Sequence, residues 1–170
     1  MSEAQPMSDW IKLERYDKRD LPPDYPSNLI FLRAFVTRMD SSNEPVECKA
    51  LFDTGCSYSW ISISLAKQLG HELGEFEPVT FTTTTSKQQR CCFSLLLGEQ
   101  RFSCCEGIAI DEGEQKRLTI FANVGIGLDV LEQCAIKLFG PDKEVWLKRI
   151  LDRSPRPLGT RPSSNINWNC

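Results

Sequence analysis

The chain has 170 residues, of which 41% are hydrophobic and 25% charged, with a formal net charge of -3. A domain of this size buries roughly 70% of its unfolded surface, so one hydrophobic core is expected and no disulfide framework is needed. No Lys/Arg run is longer than two and no apolar run nears the ~18 residues of a membrane span, which excludes nucleic acid as a partner of this domain and a membrane-crossing helix.

Residues 1–27 are polar and punctuated by Pro22, Pro23 and Pro26. They read as a partly disordered leader with a short helix around 8–17. The first residues lack the basic-then-apolar order of an export signal, so the chain is expected to be intracellular, in the cytoplasm, with its eight cysteines as reduced thiols.

The folded domain is expected over 28–150. Residues 28–39 are rich in apolar and β-branched types, and Asp40, Ser41, Ser42 and Asn43 are turn formers ahead of a second strand at 46–52. This hairpin delivers Asp53-Thr54-Gly55. An Asp that opens a tight glycine turn at a strand end is held by backbone, which suits a catalytic carboxylate. Residues 61–69 carry Ile61, Leu65, Ala66 and Leu69 at helical spacing and stop at Gly70, which predicts a packed helix closed by a glycine cap.

Residues 79–85 and 90–97 predict a hairpin with a polar tip at 86–89. Further strands are expected at 101–110 and 118–124, with a turn at 111–114 between them. The segment Gly125-Ile126-Gly127-Leu128-Asp129-Val130-Leu131 combines two glycines with an amphipathic start, and 134–139 with 144–150 predicts a closing hairpin. The tail 151–170, with Pro155, Pro157 and Pro162, is expected to be disordered. Many short strands joined by turns predict an all-β protein, a small barrel or sandwich with one or two short helices. Cys91-Cys92 and Cys104-Cys105 lie in strand-like runs, where neighbours point to opposite faces; such pairs do not converge on one zinc ion, and neither metal nor cofactor is expected.

Ala50-Leu51-Phe52-Asp53-Thr54-Gly55-Cys56-Ser57, followed by Trp60-Ile61-Ser62, resembles the active-site segment of retroviral and retrotransposon aspartic proteases, the retropepsins. Ile126-Gly127-Leu128-Asp129-Val130-Leu131 is similar to the apolar-glycine segment that supports the active-site turn in that family. The resemblance implies a small closed β-barrel over 28–150, with a flap hairpin at 79–97 that closes over bound peptide. It departs from the family at the flap tip, which has no glycine, and at Cys56, where Ala or Ser is usual.

By this resemblance Asp53 is the catalytic carboxylate, supported by Thr54, Gly55, Ile126 and Gly127. Thr83, Thr84, Thr85 and Ser86 of the flap would bind an extended peptide or protein substrate. Two carboxylates are needed, one taking a proton from water and one giving a proton to the scissile carbonyl. The chain has a single Asp-Thr/Ser-Gly, so the implied enzyme is a homodimer. Two other readings stay open: an inactive dimerisation or peptide-binding module domesticated from a mobile element, and a thiol hydrolase using Cys56 with His71 as its base.

Overall fold

The computed structural model describes residues 9–16, 18–23, 29–39, 44–81, 84–104, 106–117, 122–141, 143–150 and 166–168. In chain order the strands are β1 (Ile11–Lys12), β2 (Ile30–Thr37), β3 (Val46–Phe52), β4 (Trp60–Ser62), β5 (Phe76–Phe81), β6 (Thr84–Arg90), β7 (Phe93–Leu97), β8 (Gln100–Cys104), β9 (Ile108–Ile110), β10 (Val124–Ile126), β11 (Cys134–Phe139), β12 (Glu144–Arg149) and β13 (Ile166–Trp168). Among the described residues three short helices interrupt them: α1 (Ile63–Gln68), α2 (Glu112–Arg117) and α3 (Leu128–Leu131). A 3₁₀ turn covers Lys18–Asp20. The chain is thus all-β, as its strand-and-turn spacing predicts, with more helical turns than the one or two expected.

Ten strands form one sheet in the order β13-β5-β6-β9-β4-β10-β3-β2-β7-β8, and β1-β12-β11 form a second. The expected closure into a barrel is not seen among the described residues, where no strand pairs β13 with β8. At the β8 end the second sheet takes the place of a closing strand. The Arg149 guanidinium on β12 donates to the Arg101 carbonyl of β8 at 2.8 Å, and Val145 and Leu147 of β12 are buried in the same core as Leu95, Leu97 and Phe102.

The leader is more integrated than its polarity predicts. Residues 11 and 12 are strand rather than helix, pairing with Leu147 and Trp146, and Leu13 and Leu21 are buried. Burial of these two apolar side chains outweighs the polar composition around them. In the tail, expected to lack structure, Ile166–Trp168 runs parallel to β5; its other residues lie outside those described.

The first hairpin forms as its pattern dictates, with β2 and β3 antiparallel from Ile30↔Phe52 to Val36↔Val46. Helix α1 starts two residues later than predicted, because Trp60–Ser62 pairs with β9 and β10 before the chain turns helical. Ser62 then caps it, its hydroxyl accepting from Leu65 N. At the other end Gly70, at φ 70°, supplies the predicted glycine cap: Gly70 N donates to Lys67 O and His71 N to Ala66 O.

The largest departure concerns the flap. β5 pairs with β6 from Phe76↔Gln89 to Phe81↔Thr84, so residues 86–89, expected at the tip, lie within a strand. Residues 93–97 belong to another hairpin, pairing with β2 and β8. Phe93–Leu97 is almost wholly buried, which suits a central strand and not a solvent-facing flap arm. Similarly, 111–114 opens α2 instead of a simple turn: Asp111 Oδ1 accepts from Glu114 N at 2.9 Å, a side-chain cap. The same residue exchanges two hydrogen bonds with the buried Gln88 of β6.

Candidate active site

β3 ends in a parallel ladder with β10, Ala50↔Val124, Leu51↔Gly125 and Phe52↔Ile126. The ladder runs one step further, where Asp53 N donates to Ile126 O at 3.2 Å. Beyond it the chain turns, and Asp53 Oδ1 accepts from Gly55 N at 2.9 Å, an Asx turn in which the side chain stands in for a backbone acceptor. The carboxylate is therefore held at both its backbone and one of its oxygens. It is half-buried, and Thr54 and Gly55 beside it are exposed.

The second segment interlocks with this turn. The first N–H groups of α3, like those of any helix, have no partner within it, and Gly127 supplies no side-chain cap. Those donors go to the loop after Asp53: Leu128 N to Cys56 O at 2.8 Å and Asp129 N to Ser57 O at 3.2 Å. Gly127 is obligatory here because a Cβ on it would lie 2.4 Å from the Tyr58 carbonyl carbon and 2.5 Å from its oxygen. Gly125 is equally confined, since its Cβ would fall 1.9 Å from Trp60 Nε1.

Ser59 and Asp129 join the two segments by their side chains. Asp129 Oδ1 accepts from Ser59 N and Ser59 Oγ, each at 2.8 Å, and from Val130 N at 3.0 Å. The Ser59 hydroxyl in turn accepts from Gly127 N at 3.0 Å. Burial pushes the Asp129 carboxyl above its ordinary range, against the lowering effect of the Ser59 and Val130 donors. In the sequence Asp129 is one residue of the Ile126–Leu131 motif, with no role evident from that pattern. The only local hint is an acid at the second position of a short helix, where carboxylates are common.

The structure thus brings Asp53, Thr54, Gly55, Ile126 and Gly127 together. Thr84, Thr85 and Ser86 lie on β6, away from the turn in sequence, and Thr83 lies outside the described residues. Thr84 and Thr85 are exposed, and Thr85 shares a 2.8 Å hydroxyl contact with its cross-strand neighbour Thr80. β6 meets β9 only through Gln89 and Arg90, so among the described residues no strand pairs with the second edge of Thr84, Thr85 and Ser86.

Cys56 departs from the expectation of reduced thiols throughout, since it is disulfide-bonded. Its sulfur lies 3.1 Å from Asp53 Oδ2. A half-cystine has no hydrogen to give, so this contact becomes a hydrogen bond only when Cys56 is reduced. The disulfide also removes the thiolate that a Cys56-His71 hydrolase would require. Cys48, Cys91 and Cys134 carry free thiols. Among the described residues no group of three or more His, Cys, Asp or Glu is arranged to hold a metal ion, and no helix is long and apolar enough to cross a membrane.

No protein-family model matches the chain, and no curated protein does. Among solved structures it is similar to a retropepsin-like aspartic protease from Rickettsia conorii, with a TM-score of 0.49 and 18% identity over 82% of this chain and 90% of that one. A likeness at that level carries neither activity nor site residues over to this chain.

Proposed function

We propose that the protein is an aspartic endopeptidase of retropepsin type that works as a homodimer, with Asp53 of each copy forming a shared catalytic dyad. The observation that supports this reading is the turn itself: a carboxylate fixed by Gly55 N and by the parallel ladder to Ile126, with Thr54 and Gly55 exposed around it.

A single carboxylate cannot be acid and base at once, so the exposed side of the turn is where a second copy docks, about a two-fold axis. Two carboxyls about 3 Å apart cannot both ionise and share one proton. The ionised group takes a proton from water as the water oxygen bonds to the scissile carbonyl carbon. The protonated group gives its proton to the carbonyl oxygen, and the C=O double bond becomes single. Collapse of the resulting diol breaks the C–N bond, with a proton passed to the leaving nitrogen, and the pair returns to one shared proton. Thr54 steadies the pair by a hydrogen bond across the axis, and Thr84, Thr85 and Ser86 on β6 bind extended substrate by adding it as a strand.

The test is cleavage of an unfolded protein such as denatured casein by purified wild type and Asp53→Asn. Cleavage lost in Asp53→Asn, with fold and self-association retained, supports the reading. A wild type inert across pH contradicts it.

A further inference from the structure

The interlock of the two segments runs through one carboxylate oxygen that carries no role in the chemistry above. We infer that Asp129 is a positioning residue for Asp53, acting through Ser59. This rests on the proposed protease reading for its catalytic consequence, though not for its structural one.

The geometry is a short chain of contacts. Asp129 Oδ1 gathers three donors: both the N–H and the hydroxyl of Ser59, and the N–H of Val130. Binding the Ser59 hydroxyl as a donor turns its lone pairs toward Gly127 N, which it accepts at 3.0 Å. Ser59 is fully buried, so its two donors have no water to fall back on if Asp129 lets go. Gly127 follows Ile126, whose carbonyl takes Asp53 N. The loop from Asp53 to Ser59 is thus tied to the segment 126–130 along its length: at Asp53, Cys56 and Ser57 by backbone and at Ser59 by the Asp129 carboxylate. Between those ties lie the exposed Thr54 and Gly55, whose placement decides where the Asp53 carboxylate points.

An acceptor oxygen is what this role needs; a full charge is not. Asp129→Asn keeps an oxygen able to accept from Ser59, whereas Asp129→Ala leaves two buried Ser59 donors unsatisfied. The consequence is local, because the core strands β3 and β10 are paired independently of it.

Amide-hydrogen exchange and casein cleavage are measured in wild type, Asp129→Asn, Asp129→Ala and Ser59→Ala. The expected result is that Asp129→Ala speeds exchange of Gly55 N–H, the group held by Asp53 Oδ1, by about ten-fold or more while core strand amides stay protected. With it kcat falls about ten- to a hundred-fold at little change in KM, and Asp129→Asn restores both to within a few-fold of wild type. Ser59→Ala moves Gly55 in the same direction and carries the test should Asp129→Ala fail to fold. Unchanged Gly55 exchange in the folded variants overturns the inference, as does a uniform loss of protection across the core. An inert wild type with the expected exchange pattern upholds positioning and removes only the protease reading.

Discussion

The backbone N–H of Asp53 donates to the Ile126 carbonyl at 3.2 Å, so a residue 73 positions downstream (126 − 53) fixes where the acid leaves its strand. Because that bond continues a parallel ladder, the register Phe52↔Ile126 sets where the Asp53 backbone leaves its strand, and Gly55 N then fixes the carboxylate.

The two glycines of the supporting segment are the sharpest structural test of that register. Gly127→Ala forces a Cβ against Tyr58 backbone atoms at 2.4–2.5 Å, which cannot give way as a side-chain tip would. Denaturant unfolding is expected to show a loss of about 3 kcal/mol or more. Gly125→Ala meets the buried Trp60 ring instead, and is expected to be rescued in part by Trp60→Leu, which the first variant is not. Equal tolerance of both alanines would contradict the packing described.

Asp129 gives a pH signature. Its folded-state carboxyl is raised above the ordinary value of 3.8, by burial first and with the charge of Glu106 adding. The folded protein therefore holds this proton more tightly than the unfolded chain does. Its contribution to stability is fully present below the ordinary carboxylate range, falls as pH rises through it, and levels off above the raised folded value. Asp129→Asn removes the titration. The stability of wild type relative to Asp129→Asn, measured by urea melts, is expected to decline with rising pH over that window; a flat or rising difference would contradict the burial of this group.

Burial pushes the Cys48 and Cys91 thiols up to about 12 and that of Cys134 up to about 11. Thiols this high stay protonated and are poor nucleophiles. Iodoacetamide at mildly alkaline pH is expected to leave these three unmodified in the native protein and to label them after unfolding, as read by peptide mass spectrometry. Cys56→Ser is expected to keep cleavage activity, since a hydroxyl there donates to Asp53 Oδ2 without needing reduction; complete loss would revive the thiol mechanism.

What was legible in the sequence was what neighbours dictate. The hairpin of β2 and β3, the turn at Asp53-Thr54-Gly55 and the Gly70 helix cap follow from local pattern and turn chemistry. The flap hairpin differs in register from its sequence pattern because Ser86, Lys87, Gln88 and Gln89 are polar enough to pass for a turn, and only pairing with β5 makes them strand. Leu13 and Leu21 joined the core despite polar surroundings for a similar reason. Ser59 and Asp129 are not legible as a pair because a serine and an acid 70 residues apart show no mutual signal in one sequence; their meaning is a distance of 2.8 Å.

The most direct measurement of the central claim mixes wild-type and Asp53→Asn subunits at fixed total concentration, after exchange, and follows casein cleavage. If one Asp53 from each of two copies makes the active centre, activity falls as the square of the wild-type fraction. A linear fall would show that a single copy suffices, and no cleavage at any ratio would show that the paired acid has no proteolytic role.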